Sequence, residues 1–404
     1  MAGGDVLGSI TPFEFATAAR IVFGPGRAEE IGRIVSELGI PDAEGHDRVF
    51  LVTGRRALRV AGVVDRLTDA LTGDGWAVST FTVSGEPTVS LIDAGLAEAK
   101  AWNPGVVVAL GGGSVLDAGK AIAGLLTNGG ATLDYLEGVG SGRTFERPAL
   151  PLVAVPTTAG TGSEATKNAV ISADDGSFKK SMRSPHLLPR VAVVDPLLTH
   201  TMPPEVTAFS GLDALTQLIE PFTSNGASAL TDALAERGIR LAARSLFQAY
   251  EHPSDAEARQ DMALAALFSG ICLANAGLGA VHGLVAPLGA AYPVSHGAGC
   301  AALLPHVVEM NIRRLRKEAP AHPTLEKYRR IGEIFVPDSR EPLEELARVL
   351  RDLVTRMCVP GLGSWGLTPE GIPGVVKKSR GSSMRFNPVV LMDDELATIL
   401  EAAM

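Results

Sequence analysis

Residues 105–126, "GVVVALGGGSVLDAGKAIAGLL", constrain the fold more than any other stretch of this chain. The run 105–110 is continuously apolar, as expected of a strand buried on both faces. Three glycines follow, and then a helical pattern opening at Ser114 and running to about Leu126. A buried strand, a glycine turn and a helix N-terminus make a phosphate site: backbone N–H groups approach an anion closely, and the helix end adds partial positive charge. The spacing is not GxGxxG, so the general dinucleotide fingerprint is not met. A tight strand-to-helix turn would use the same glycines without any ligand.

The surrounding sequence repeats the strand–helix pattern. "RVFLVTG" (48–54) reads as a strand followed by a helix over about 57–71. "AVSTFTV" (77–83) reads as a strand followed by a helix over about 89–102. "PLVAVPTT" and "RVAVVDP" look like two more strands. Such alternation implies parallel pairing in a doubly wound sheet. Beyond about Met202 the pattern becomes helical and rich in alanine and leucine. The two prolines of "DPLLTHTMPP" suggest a boundary, giving an α/β domain over 1–201 and a helical domain over 202–404.

Composition narrows the partners. With 404 residues, the chain is long enough for two or three domain-sized units. Its formal net charge of -9 argues against a nucleic-acid or anionic-lipid partner. Residues 262–308 carry no Asp, Glu, Lys or Arg. Prolines, glycines, Asn275, His282 and His296 interrupt this segment, so it reads as a buried helical core and not a membrane span. The N-terminal "MAGGDVLGSITPFEF" lacks a basic region and a long apolar run, so no signal peptide is expected. Cys272, Cys300 and Cys358 have neither zinc-site nor disulfide-framework spacing. They read as reduced, buried thiols of a cytoplasmic protein.

A second polar cluster, "PTTAGTGSEATKNAVIS" (156–172), follows another apolar strand. Its hydroxyls and flexible backbone suit a phosphate, a ribose or a carboxamide. Two such loops after two strands favour a shared cleft.

Together these pieces, with "PHLLPRVAVVDPLLTHTMP", "GLDALTQLIE" and "HGLVAPLGAAYPVSHGAGCAALLPH", resemble the iron-dependent (group III) alcohol dehydrogenase family. The resemblance runs from about Phe13 to Asn387 and Pro388. It implies an α/β N-terminal dinucleotide-binding domain plus an all-helical C-terminal domain, a dehydroquinate synthase-like fold. It also implies hydride transfer between a nicotinamide cofactor and a small alcohol or carbonyl substrate in the interdomain cleft. By resemblance, the pyrophosphate falls on Gly111, Gly112, Gly113 and Ser114, with Asp117 in the same motif. Thr157, Thr158, Thr161, Thr166 and Asn168 line the cofactor, and Lys179 contacts it.

Many NAD-preferring members carry an aspartate just after the first strand, to bind the ribose hydroxyls. Here Gly54 holds that place, followed by Arg55 and Arg56. Losing a carboxylate and gaining guanidinium groups favours NADP, with NAD the alternative.

The family's divalent metal is held by an aspartate, a histidine four residues later, and two histidines fourteen apart. Asp213, His282 and His296 match three of these, and Gln217 replaces the fourth. A further family histidine near substrate is replaced by Ala286. Two mechanisms follow. Either Asp213, Gln217, His282 and His296 hold Fe²⁺ or Zn²⁺, which polarises the substrate oxygen, or a protonated His282 or His296 stabilises that oxygen without metal, supported by Asp213. Two other readings stand beside alcohol–carbonyl interconversion. One is enoate reduction resembling maleylacetate reductase, which the opening "FEFATAARIVFGPG" slightly favours. The other is a non-catalytic dinucleotide-binding protein. The resemblance also implies a homo-oligomer, and the alanine at 286 implies a roomier pocket.

Overall fold

The computed structural model describes residues 12–39 and 47–404, and its strands form one six-stranded parallel sheet beside a separate hairpin. Most of the N-terminal stretch in which no signal peptide was expected lies outside the described residues. The strands are β1 (Arg20–Phe23), β2 (Arg48–Gly54), β3 (Ala77–Val83), β4 (Val106–Gly111), β5 (Leu152–Pro156), β6 (Asn168–Ser172), β7 (Lys179–Arg183) and β8 (Val191–Val194). Across the sheet the order is β1-β8-β5-β4-β2-β3, while β6 and β7 pair antiparallel by themselves.

Both sheet faces are covered, which is why the central strands are apolar throughout. Phe50, Val52, Val107 and Ala109 pack on one side, and Val49, Leu51, Val106 and Val108 on the other. All six residues of β4 are buried. From β2 the chain moves outward to β3. It then crosses back to β4 and continues in the opposite direction to β5. The order therefore reverses between β2 and β4, and the carboxyl ends of these two strands are where ligands of such sheets bind.

Three local expectations change. The helix expected over 57–71 is two pieces, Ala57–Val60 and Val63–Gly73, because Gly62 takes a left-handed conformation between them. The phosphate-loop helix opens at Gly113, one residue before Ser114, and runs to Asn128. Strand β1 and the β6–β7 hairpin, four and five residues per strand, had no sequence reading. Their burial is interrupted, so they lack the continuous apolar run that marks the equally short β5 and β8.

Past β8 the chain is helical, as the Ala/Leu-rich pattern suggested. Helices Pro204–Thr223, Ala229–Glu251, Ala256–Ala276, Ala280–Ala291 and His296–Glu318 surround one large apolar cluster. Among the described residues no single helix is long and apolar enough to cross a membrane. The charge-poor pair Ala256–Ala276 and Ala280–Ala291 is bent by 99°, and it lies largely within the core.

Candidate active site

The two polar loops meet, as their placement after neighbouring strands required. The helix Gly113–Asn128 opens directly after β4, and no side chain caps its N-terminus. A Cβ on Gly113 would lie 2.8 Å from Thr161 Cγ2, and one on Gly112 would lie 3.3 Å from Thr158 Cγ2. Glycine is needed at 113 because the threonine loop packs directly on the backbone there. Thr157 is buried, and its N–H donates to the Gly111 carbonyl (3.0 Å).

Beneath these loops lies a charged brace. Lys120 is fully buried. Its Nζ donates to Ser163 Oγ (2.6 Å), Thr166 Oγ1 (2.8 Å) and the Asn168 carbonyl (2.8 Å). Asp117 accepts from Ser163 Oγ (2.6 Å) and the Val170 N–H (2.9 Å). Asp117 and Thr166 therefore spend their polar atoms tying the glycine-loop helix to the threonine loop and β6. The Oδ1 of Asn168 is buried without a partner. Lys179, at the start of β7, is ion-paired with Glu86.

Glu164 is buried in the same brace. Burial pushes its carboxyl up to about 7, against its own backbone hydrogen bond and the pull of Lys120. Its folded value lies above the unfolded value of 4.5, so the folded state binds the proton more tightly. The resulting penalty is absent below the unfolded value and grows as pH rises toward 7. Glu164→Gln is therefore expected to stabilise the protein at pH 8 by roughly 3 kcal/mol and to have little effect near pH 4. Denaturant melts at the two pH values check this, and equal effects at both would refute it.

The second half of the site comes from three helices. Asp213 is buried near the middle of Pro204–Thr223. His282 lies in the first turn of Ala280–Ala291, and His296 is the first residue of His296–Glu318. A Cβ on Gly297 would lie 2.3 Å from the Phe209 carbonyl oxygen. That close approach of two backbones sets His296 against the Asp213 helix. Asp213 Oδ1 lies 3.5 Å from His282 Nε2 and 3.8 Å from His296 Nε2. The two imidazole centroids are 5.3 Å apart. Asp213, His282, His296 and Cys300 each offer one donor atom within 4.8 Å of all the others.

Sequence reasoning missed Glu220. It sits seven residues after Asp213, two turns along the same helix face, and that spacing was the available signal. His282 Nδ1 donates to Glu220 Oε2 (2.6 Å), and the Val281 N–H donates to Glu220 Oε1 (2.7 Å). This fixes the ring and turns Nε2 toward Asp213. It also missed Cys300, whose expected role was only that of a buried thiol. Cys272 is buried as expected, but Cys358 is exposed.

The charges in the cluster are strongly perturbed. Burial opposes ionisation of Asp213, but the histidines and Gln217 beside it hold its carboxyl down to about 2. His296 is pushed down to about 4, first by burial and then by His282 and Lys179, against Asp213 and Glu86. Its side chain remains 38% exposed, so water relieves part of that burial. A neutral His296 gives Asp213 little support at pH 7, so that support falls to His282. Burial also works against a charged His282, yet its pKa stands well above the usual range. Glu220 and Asp213 supply the favourable charge. Cys300 cannot help unless ionised, and burial pushes its thiol up to about 12.

The donors suit a divalent cation. Asp213 Oδ1 is a buried oxygen with no hydrogen-bond partner, a costly state that a cation would relieve. Carboxylate and imidazole together are accepted by Fe²⁺ and Zn²⁺. Gln217 Oε1 is likewise buried without a partner. Ala286, one turn beyond His282, is exposed.

Residues 18–196 match the iron-containing alcohol dehydrogenase family, and residues 207–404 match the C-terminal domain of the same family. The chain belongs to the iron-containing alcohol dehydrogenase family. It is 33% identical to long-chain-alcohol dehydrogenase 1 of Geobacillus thermodenitrificans, over 96% of this chain and 97% of that one. Its fold superposes on a crystal structure of 1,3-propanediol oxidoreductase with a TM-score of 0.89, at 32% identity, covering 98% of this chain and 100% of the other. It also superposes on sulfoacetaldehyde reductase from Bifidobacterium kashiwanohense, solved with NAD⁺, with a TM-score of 0.85 at 32% identity, covering 97% and 99%. This iron-type alcohol dehydrogenase is thus an enzyme interconverting alcohols and carbonyls.

Proposed function

We propose that this alcohol dehydrogenase reduces a small aldehyde or ketone with NADPH, and oxidises the matching alcohol with NADP, at a divalent metal held by Asp213, His282 and His296. The convergence of those three side chains around an unpartnered buried carboxylate oxygen carries the reading. The pyrophosphate rests on Gly111, Gly112, Gly113 and Ser114 at the free helix N-terminus. Thr157, Thr158 and Thr161 line the same crevice, while Asp117, Thr166 and Lys120 hold its two walls together. Asn168 and Lys179 stand on the cofactor side. Arg55 and Arg56 are exposed at the carboxyl end of β2, where a ribose 2′-phosphate would lie.

The cation, when bound, acts as a Lewis acid on the substrate oxygen. The chain supplies the rest. Glu220 fixes the His282 ring, and Asp213 keeps its charge between the two imidazoles. The partly open His296 edge is the accessible path for a proton to or from solvent. Family resemblance and the reduced thiols support a homo-oligomer working in the cytoplasm.

The test is oxidation of NADPH and NADH with short aldehydes and hydroxyketones, before and after chelation. Chelator should abolish turnover, and Fe²⁺ or Zn²⁺ should restore it. Turnover untouched by chelation would favour the protonated-histidine mechanism. Ala286 concerns substrate size. Ala286→His is expected to lower kcat/KM for branched carbonyls about tenfold relative to acetaldehyde. Equal effects on both would detach residue 286 from the substrate pocket.

A further inference from the structure

We propose that Cys300 is a ligand of this ion, so that Asp213, His282, His296 and the Cys300 thiolate form the coordination set. The inference rests on the metal reading above. Cys300 lies four residues after His296 on the same helix, so both side chains leave one face. Its sulfur is 3.8 Å from His282 Nε2, the nitrogen that Glu220 turns inward. The residue is wholly buried. Tetrahedral bonds of about 2.0–2.3 Å place neighbouring donors roughly 3.3–3.6 Å apart. The Asp213–His282, Asp213–His296 and His282–Cys300 separations of 3.5, 3.8 and 3.8 Å lie close to that spacing, and all four donor atoms lie within 4.8 Å of one another. On coordination the thiol proton leaves to solvent and the sulfur binds as thiolate.

The rival for this position is Gln217, whose Oε1 is also buried without a partner. The two differ in chemistry. A neutral amide oxygen is a hard, weak donor, whereas a thiolate is soft and draws the site toward zinc over iron. A cysteine ligand therefore makes this a zinc-preferring member of a family named for iron.

Cobalt(II) reports sulfur ligation directly. The full-length protein is stripped of metal, loaded anaerobically with Co²⁺, and compared with Cys300→Ser and Gln217→Ala. NADPH binding serves as the check that each variant is folded. The expected wild-type spectrum has an intense near-ultraviolet sulfur-to-cobalt charge-transfer band. Cys300→Ser should lose that band while keeping the visible ligand-field bands, and Gln217→Ala should keep both. In competitive loading, Cys300→Ser should lower the zinc-over-iron preference by about tenfold or more. Ligand-field bands without a charge-transfer band in wild type, or a band that survives Cys300→Ser, would overturn the cysteine ligand and leave the metal site standing. Failure of the protein to take up cobalt at all would overturn both.

Discussion

Asp213→Ala is expected to lower kcat/KM by about three orders of magnitude. Among the described residues, Asp213 is the carboxylate that faces both imidazoles, at 3.5 and 3.8 Å. Its removal takes away the carboxylate donor of the proposed cation site, and Lewis-acid stabilisation of this kind contributes several kcal/mol to a transition state. At 1.36 kcal/mol per decade, that is a thousandfold or so. NADPH affinity should stay near wild type, because Asp213 stands on the helix Pro204–Thr223 and not on the glycine loop or the helix that loop opens. Steady-state kinetics, metal content and an NADPH titration together decide the matter. Activity within tenfold of wild type would remove Asp213 from the catalytic centre.

Gly54→Asp is expected to move cofactor preference from NADPH toward NADH by about a hundredfold in the ratio of kcat/KM values. The position accepts a side chain without strain. A Cβ there meets only Val115 Cγ2, at 3.9 Å, in ordinary contact, and the backbone is not in the left-handed region. The new carboxylate would accept hydrogen bonds from the two ribose hydroxyls and would repel a 2′-phosphate. A hundredfold change corresponds to about 2.7 kcal/mol, reasonable for one charge placed against another at a partly exposed site. If the ratio moves less than about twofold, residue 54 does not face the ribose.

Much of this fold was legible in the sequence because its elements are strongly periodic. Strand β4 reads as apolar at every position because both its faces are covered, and the helix Val89–Trp102 matches its expected span. Gly62 broke a helix whose apolar pattern continued through it, since periodicity reports which face is buried and not where the backbone reverses. Asp213, His282 and His296 were legible through the match of their motifs to those of the resembled family. Glu220 and Cys300 were not, because each acquires its meaning from a partner on another helix. The thiol reading of Cys300 followed from linear spacing alone, and nothing along the chain indicates that its sulfur stands 3.8 Å from His282 Nε2.

The sequence by itself therefore determined the parallel sheet and the glycine turn at its edge, each a pattern written within a few consecutive turns or strands, while Asp213, His282 and His296 were singled out by the family resemblance. Only the tertiary structure decided how the second loop braces the first through Lys120, which carboxylate holds His282, and which thiol stands beside it. Those depend on helix crossings, such as the approach of Gly297 to the Phe209 backbone, that bring together residues tens of positions apart.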